Sequence, residues 1–597
     1  MADTPSPLGK NADPPPNEPR LESWGEIASY LRRDIRTVQR WEKEQGLPVR
    51  RLKIGKQGQV YAYRSELDKW ILERQPKAEE EERNATLESP AVPRESEEKK
   101  EVPPEPYRKF WIWVLVGIGV MAAGFALHAL WPKQVVLAEK TLLFVRPFKN
   151  QSEDPNQKEF VSGLTYEMIT QFGKLNPKRL GVFAPTTSEA LAGKSLEELK
   201  KQLKADYVLE GSVRRADNQL RIDATLVSSE DQLPKWANSY TGDVRDSLKF
   251  QDEVTADVAK QIGITLPASI TDARGSGKRE VDPAVYDAYL AGRLHWLDRD
   301  FPLSLASFQK ALEKDPDYAP ALAGIAGAYL LLGQSPNDVW RPEVAMKKAR
   351  DAAQQALARD PSLADAYCVL ANISMSYDHN MAEAERLYKR ALDLDPSNVT
   401  AHEWYGDYLL VLKRLDEAEK QTERARELDP ASPLFNTVRA EVHYFQRNYD
   451  AAIKQATQTI EQHPNFMLAR LWLACAYREK KMYPQAIQQF DLLRLQSNNL
   501  PAMLMLYGHV LGLAGQSDKT RDVLAQLGSA AKTRYVPAIY FAAVHTGLGD
   551  HEQAFQWLEK AYAERDDRLV YLDAEPMADP LRSDPRFASL MKRLGLP

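Results

Sequence analysis

The residue combinations that usually carry catalysis are missing from this sequence. No HExxH, GxSxG or CxxC pattern occurs along its 597 residues. The two cysteines, Cys368 and Cys475, are too few for a disulfide framework or a cysteine metal site. The run GSGK resembles a phosphate-binding loop, but Asp272 stands where its first glycine is required and Arg279 replaces the Ser or Thr. We therefore predict that the chain is not an enzyme and carries no cofactor or metal.

Basic and amide side chains near the amino terminus have types that suit DNA recognition. They follow one face of a helix predicted near Ile35–Gln45 and a hairpin predicted around Gly55–Gly58. Arg and Gln can read the edges of guanine and adenine, and further Arg and Lys side chains can contact the phosphates beside the groove. The alternative is a solvated basic face on a small helical domain. The candidate DNA-binding residues are Arg36, Thr37, Gln39, Arg40, Lys43, Arg50, Arg51, Lys53 and Lys56.

The elements that would position these side chains lie in residues 21–75. A first helix is expected near Trp24–Arg32, and a third begins at Ser65, after the hairpin. The runs RTVQRWEKEQGLPVRR and VYAYRSELDKWI resemble the winged helix-turn-helix heads of the MerR and excisionase type. That resemblance implies DNA binding but specifies no operator. Because one such head is small, a homodimer is expected.

A membrane span is predicted further along the chain. Residues 1–20 and the Glu- and Pro-rich linker 76–109 are expected to be disordered. Between Phe110 and Trp131 there are 22 residues without a formal charge, enough for a transmembrane helix, although a buried core helix is the alternative. Charges on either side favour a cytoplasmic amino terminus. We expect the chain in the inner (cytoplasmic) membrane, with residues 132–597 periplasmic or extracytoplasmic.

Residues 140–266 have the pattern of a compact α/β domain. Apolar runs and amphipathic stretches alternate, and two strands are expected to meet at the turn pair Asp217–Asn218. The runs VRPFKNQSEDPNQKEFVSGLTYEMIT, DYVLEGSVRR and LRIDATLV resemble the TolB amino-terminal-like domain. The resemblance implies a binding or oligomerisation module without catalysis. Residues 267–283 read as a linker.

A period of about 34 residues dominates residues 284–597. Its clearest marker is a helix end followed by proline, as in ALDLDP (391–396) and ARELDP (425–430). Small residues recur where helices must cross. This pattern resembles tetratricopeptide (TPR) repeats, in roughly six to seven copies, whose concave groove would receive a peptide or protein. The candidate groove residues are Glu403, Asp407, Glu441 and Tyr444, and the alternative for each is a solvated helix face.

The sequence thus predicts a multidomain, mainly α protein. It comprises a winged helix-turn-helix head, one transmembrane helix, a TolB-like α/β domain and a TPR α-solenoid. The preferred hypothesis is a membrane-anchored transcription regulator whose outer region senses a ligand or binds a partner protein. Two alternatives remain open: an envelope scaffold for protein–protein interaction, and an accessory module of a separately encoded enzyme.

Overall fold

The computed structural model describes residues 20–21, 23–31, 35–45, 47–54, 57–63, 66–67, 70, 140–154, 157–176, 179–264 and 280–596. They fall into two compact units, one within Met1–Lys133 and one within Gln134–Pro597. Residues 1–19 of the terminus predicted to be disordered (1–20), the acidic linker, the span 110–131 and most of the linker 267–283 lie outside the described residues, while Arg20 belongs to a strand. No helix within the described ranges is long and apolar enough to cross a membrane.

Among its described residues, the first unit has two complete helices, a small sheet and further helical residues at 66, 67 and 70, where the sequence predicts a third helix. Helices α1 (Trp24–Tyr30) and α2 (Ile35–Gln45) precede the hairpin of β2 (Arg50–Ile54) and β3 (Gln57–Tyr63). A short strand that the sequence did not indicate, β1 (Arg20–Leu21), pairs with β3. Apolar side chains from both helices and the sheet form one core, and it includes Leu21, Ile27, Val38, Ala62 and Leu67.

The second unit opens with a mixed sheet. Its strands are β4 (Thr141–Val145), β5 (Lys149–Asn150), β6 (Leu180–Val182), β7 (Tyr207–Ala216), β8 (Gln219–Ser228) and β9 (Pro234–Asp243). Strand β4 lies between β6 and β7 and is parallel to both, while β7, β8 and β9 form an antiparallel meander. As the sequence predicts, β7 and β8 meet at Asp217–Asn218, and Asp217 has a φ of 50°.

Four helices accompany this sheet. They are α3 (Gln157–Leu175), α4 (Pro185–Ala190), α5 (Leu196–Leu203) and α6 (Ser247–Gln261). Helix α3 buries Phe160, Leu164, Met168 and Phe172 in a core shared with α6 and the sheet. The short helix α4 was not expected, because the run RLGVFAP reads as one longer strand.

The remaining residues form antiparallel helix pairs. Sixteen helices make eight pairs, so the expectation of six to seven repeats is too low. The helix-end proline follows only the first five pairs, and Pro501 and Pro537 stand instead at the start of the seventh and eighth, so a count based on that marker is too low. The helices are α7 (Pro283–Leu297), α8 (Phe301–Lys314), α9 (Ala319–Leu332), α10 (Pro342–Arg359), α11 (Ala364–Ser376), α12 (Met381–Leu394), α13 (Val399–Val411), α14 (Leu415–Leu428), α15 (Pro433–Phe445), α16 (Tyr449–Gln462), α17 (Met467–Glu479), α18 (Tyr483–Gln496), α19 (Pro501–Leu513), α20 (Ser517–Ala530), α21 (Ala538–Leu548) and α22 (His551–Ala563).

Small residues allow these helices to cross closely, as the repeat pattern predicts. The alanines at the crossing positions, among them Ala371, Ala440, Ala474 and Ala418, are fully buried. At Gly512, on α19, an added Cβ would lie 2.5 Å from the backbone of Gly547 on α21, so these two helices approach too closely for a side chain there. Each pair therefore stacks on its neighbours and contributes to one continuous core.

The chain ends with a segment that returns to the inside of the array. Residues 566–582, the C-terminal segment, contain two 3-10 stretches, Asp567–Tyr571 and Pro576–Leu581. The final helix, α23 (Pro585–Arg593), covers the last pair, and its Arg586 and Arg593 form ion pairs with Glu552 and Glu559 of α22. This agrees with the closing cap that the sequence predicts.

Candidate interaction site in the groove of the repeats

The first helices of successive pairs line the inner surface of the array, which we call the groove. The C-terminal segment packs against α11, α13 and α21, and its Glu575 also contacts side chains of α15 and α17. The groove is therefore occupied by the chain itself along this stretch.

Tyr444 is a core residue and does not present an open groove surface. Its side chain is fully buried, and its hydroxyl donates a hydrogen bond to Oε1 of Glu575, at 2.5 Å. The same hydroxyl accepts a hydrogen bond from the buried guanidinium of Arg478, at 2.6 Å. The C-terminal segment already uses the polar group of Tyr444, so in this closed arrangement it is not open to a partner, and its contact with a partner stays a prediction.

The other three predicted groove residues do converge. Glu403 and Asp407 lie one turn apart on α13, and Glu441 lies on the neighbouring helix α15. Burial raises the pKa of Glu403 to about 7 and that of Glu441 to about 8. Burial, and then repulsion by Glu441 and Glu403, raises the pKa of Asp407 well above its usual range. Such raised pKa values leave these carboxyls only partly ionised near neutral pH.

A cavity of about 240 Å³ separates these helices from the C-terminal segment. Apolar side chains supply most of its wall, and Glu403, Glu441, Arg299 and Arg568 add charge of both signs. The Thr437 hydroxyl at this wall is buried without a hydrogen-bond partner. Because both signs of charge face the same space, the cavity alone does not specify the chemistry of a ligand.

Basic residues mark the rim of the groove at the repeat period. Lys413, Arg447 and Lys481 each stand between the two helices of a pair, with φ values of 57°, 60° and 59°. This left-handed conformation disfavours residues with a Cβ, and the last two pairs have Gly515 and Gly549 there. Two of the three basic side chains pair with the C-terminal segment. Lys413 contacts Asp573 at 2.6 Å, and Arg447 contacts both carboxylate oxygens of Asp579, at 2.5 and 2.8 Å.

The loop between α9 and α10 also reaches across the groove. The sequence indicates an insertion around Ser335–Glu343, and the structure uses part of it to contact α21. The Tyr540 hydroxyl donates to the carboxylate of Asp338 at 2.6 Å and shares a hydrogen bond of 2.6 Å with Ser335. Asp566, at the start of the C-terminal segment, is fully buried nearby, and burial raises its pKa to about 7. These contacts join the second helix pair to the eighth.

A second joint connects the sheet to the repeats. The hydroxyl of Thr187, on α4, donates to the carboxylate of Asp429 at 2.6 Å. The Ser397 hydroxyl donates to the carbonyl of Gly173 at 3.0 Å. Asp429 and Ser397 lie at the helix-end prolines that mark the repeat period. The sequence shows their spacing but gives no signal that they hold a neighbouring domain.

Beside this joint lies a cavity of about 360 Å³. The guanidinium of Arg293 lies over the Tyr166 ring, 4.5 Å from its centre, and forms an ion pair with Asp365 at 3.1 Å. Asp395 in the same wall is buried, and this raises its pKa. The charge of Arg293 in this wall is thus compensated by carboxylates of the protein itself.

The candidate DNA-binding residues are distributed unevenly in the first unit. Arg36 and Arg40 are exposed one turn apart on α2, and Lys43 is exposed on the next turn, while Thr37 and Gln39 are half-buried. Arg50 is already engaged by the head: it forms an ion pair with Glu66 at 2.6 Å and lies over the Tyr63 ring. Arg51 and Lys53 belong to β2, and Lys56 lies outside the described residues.

Buried cysteine and histidine side chains serve packing in the described part of the chain. Burial raises the pKa of both thiols, to about 12 for Cys475. Burial lowers the pKa of His509 to about 3, and one of its ring nitrogens hydrogen-bonds to the carbonyl of Ala543. No group of His, Cys, Asp or Glu within the described ranges could hold a metal ion.

Comparison with known proteins identifies the repeats. The sequence profile of the tetratricopeptide repeat matches residues 377–433 and 437–499. A curated relative, named "Putative adenylate cyclase 3" of Rhizobium meliloti (strain 1021), is 31% identical over 260 residues. That match covers 42% of this chain and 42% of the relative, so the chain spans only about two fifths of the relative's length.

Solved structures with similar helices include the following two. A thermophilic TPR protein of Thermus thermophilus has 22% identity and a TM-score of 0.28, and the match covers 32% of this chain and 98% of that one. Yeast Tom70 has 18% identity and a TM-score of 0.32, over 53% of this chain and 69% of that one.

Proposed function

We propose that this chain is a scaffold for protein–protein interaction and has no catalytic role of its own. The observation that carries the proposal is the array of eight stacked helix pairs, which includes the residues matched as TPR repeats. Such arrays provide long surfaces on which an extended segment or a helix of a partner can lie. The joint between α4 and α14 adds the sheet as a second potential contact surface on the same body.

Site-specific photo-crosslinking in the native host tests the scaffold. A crosslinking amino acid is placed in the full-length chain either at Lys481, on the rim of the groove, or at Leu495, an exposed position on α18. The expected result is a partner protein joined reproducibly to one position and weakly to the other. Uniform crosslinking to abundant proteins from both positions would contradict the proposal.

A second candidate function is a membrane-anchored transcription regulator. It is supported by the exposed pair Arg36 and Arg40 on α2, which are placed as a helix that reads DNA requires. In this proposal residues 110–131 anchor the chain in the cytoplasmic membrane, the head is cytoplasmic, and residues 132–597 lie on the other side. The partner bound by the repeats would then alter how the heads cluster on DNA.

Genome-wide DNA occupancy tests this second function. Wild type is compared with Arg36→Ala/Arg40→Ala and with the matched control Lys200→Ala/Lys201→Ala, which removes two exposed positive charges from α5. Discrete peaks that disappear only in the head variant would support a regulator. Peaks that survive in the head variant, or a complete lack of peaks under all growth conditions, would contradict the regulator. The scaffold would then be the remaining proposal.

The accessory-module alternative rests on the curated relative. That protein is named as a cyclase, but less than half of its length is matched. We propose that the shared region supports contacts between proteins, so an enzyme partner of this chain would be separately encoded. If a cyclase or another enzyme is crosslinked at Lys481, the chain acts as the accessory module of that enzyme.

A further inference from the structure

We propose that the part of the groove beneath Asp573–Asp579 is a docking site for an acidic segment of a partner protein, and that Asp573–Asp579 occupies it while the partner is absent. The inference rests on the proposed scaffold function and names the chemistry of its partner. The contacts of Asp573–Asp579, the chain's own occupant, show what this groove binds.

The occupant meets the groove through its acidic side chains. Asp573 pairs with Lys413, Asp579 pairs with Arg447, and Glu575 lies between them. The Glu575 carboxylate accepts the Tyr444 hydroxyl and lies 3.5 Å from a nitrogen of Arg478. Three acidic residues within seven therefore match cationic or donor groups from three successive helix pairs.

The backbone of this stretch makes no hydrogen bond to the repeats within the described residues. Instead, the backbone amide of Glu575 donates a hydrogen bond to the carbonyl of Tyr571 at 2.8 Å. The backbone amide of Ala578 donates to the carbonyl of Glu575 at 3.1 Å. Side chains alone connect Asp573–Asp579 to the groove. An incoming acidic segment can thus restore every ion pair that it displaces, and it needs small apolar side chains where Ala574, Pro576 and Ala578 are now buried.

Apolar anchors flank the exchangeable part. Leu569 and Val570 are fully buried before it, and Leu581 is buried after it. Burying such side chains removes apolar surface from water, which favours the bound position of the segment. These anchors keep the occupant close to its site after displacement. It then competes as an intramolecular ligand at a high effective concentration.

The groove offers more than its present occupant uses. Lys481 repeats the turn conformation of Lys413 and Arg447 one helix pair further on, and it forms no ion pair within the described residues. A longer acidic segment would gain this contact in addition to those it replaces. That extra contact gives a partner the advantage it needs over the tethered occupant.

Fluorescence anisotropy with a synthetic probe tests the exchange. The probe is a fluorescein-labelled peptide with the sequence of residues 571–583, YLDAEPMADPLRS, and it is titrated with the full-length chain. In the release variant Asp573→Asn/Asp579→Asn, we expect the peptide to bind at least ~10-fold more tightly than in wild type, because the internal competitor is weakened. Adding Lys413→Glu/Arg447→Glu should abolish that binding. A peptide with Asn and Gln in place of its acidic residues is the control ligand.

Two further measurements guard against a variant that simply loses its fold. The charge swap Arg447→Asp/Asp579→Arg restores an ion pair, so it should bind the peptide as weakly as wild type. In wild type, excess unlabelled peptide should accelerate hydrogen exchange of the amides at 573–579. Equal affinity for wild type and release variant, unchanged exchange at 573–579, or binding that survives the Lys413 and Arg447 changes would each overturn the inference. If crosslinking at Lys481 still captures a specific partner in that case, the scaffold function stands and only this docking site is wrong.

Discussion

The Thr187 hydroxyl on α4 donates a hydrogen bond of 2.6 Å to the carboxylate of Asp429 at the end of α14, across 242 positions of sequence. Both side chains are buried. The same hydroxyl accepts a hydrogen bond from the backbone amide of Ala431, at 3.0 Å. Burial raises the pKa of Asp429 to about 6, and the Thr187 hydrogen bond partly offsets that rise. One hydroxyl thus satisfies two buried groups of the repeats, so the sheet and the array are coupled through it.

Thr187→Val should weaken this joint. The variant keeps the shape of the side chain but removes the partner of a buried carboxylate, which costs about 1–3 kcal/mol. Urea unfolding followed by circular dichroism should show a lower midpoint. Thr170→Val is the matched control, because the Thr170 hydroxyl bonds only within its own helix, to the carbonyl of Tyr166 at 3.2 Å. Equal midpoint shifts for the two variants would show that the joint contributes nothing specific.

Tyr540→Phe should loosen the closure between the α9–α10 loop and α21. The change removes a hydroxyl bonded to Asp338, whose carboxylate is buried and already has one oxygen without a partner. We expect a loss of about 1–3 kcal/mol in the free energy of unfolding. Hydrogen exchange at residues 334–341 should also become faster.

Tyr535→Phe provides the comparison for that variant. The Tyr535 hydroxyl is buried but has no hydrogen-bond partner, so its removal should leave stability unchanged or slightly higher. If Tyr540→Phe behaves like Tyr535→Phe in both measurements, the loop contact does not stabilise the closed array.

Periodic features of this chain were predictable from sequence, and contacts between distant residues were not. The 34-residue spacing locates the helices around Ala371 and Ala440, because each repeat buries the same small positions against its immediate neighbours. The Asp217–Asn218 turn is equally local. The α4 joint and the Tyr540 closure depend on residues about 200 or more positions apart, and no local pattern encodes such pairing.

The candidate groove residues illustrate the same limit. Glu403, Asp407 and Glu441 were chosen from helix-face positions, and they do converge on the inner surface. Sequence periodicity cannot reveal that residues 566–582 return to cover them. It also cannot reveal that the C-terminal segment occupies the hydroxyl of Tyr444. The signal that could have shown the occupant is the acidic run from Asp573 to Asp579 opposite basic residues that recur every 34 positions.

Stability should fall as pH rises from about 5 to about 8. The pKa of Glu403 is raised to about 7 and that of Glu441 to about 8, above their values in the unfolded chain. At low pH these two carboxyls are protonated in both the folded and the unfolded chain, so their burial does not oppose ionisation and does not lower the free energy of unfolding. As pH rises, the unfolded state gives up these protons first, so the free energy of unfolding decreases until the folded carboxyls also ionise. The charged groups that face this pair are Asp407 on α13, Arg299 at the α7–α8 turn, and Arg568 and Glu575 in the C-terminal segment.

Glu441→Gln should flatten that pH profile. Glutamine keeps the shape and needs no proton, so the variant should gain about 1–3 kcal/mol relative to wild type at pH 8 and little at pH 5. Urea unfolding at the two pH values measures the difference. Glu313→Gln, at an exposed position on α8, is the control. It should change the free energy of unfolding by the same amount at both pH values. A Glu441→Gln profile parallel to that of wild type would mean that Glu441 ionises normally in the folded state.

Thiol labelling should report opening of the groove through Cys475. This thiol lines the cavity beneath the C-terminal segment, whereas Cys368 lines the separate cavity beside the sheet. Burial raises the pKa of both thiols, so neither should react with a thiol reagent in native wild type. In Asp573→Asn/Asp579→Asn, we expect Cys475 to be labelled at least ~10-fold faster while Cys368 stays unreactive, because labelling of a covered site follows the population of its open form. Faster labelling of both cysteines would indicate general unfolding, and protection of both would show that the segment stays in place without its outer ion pairs.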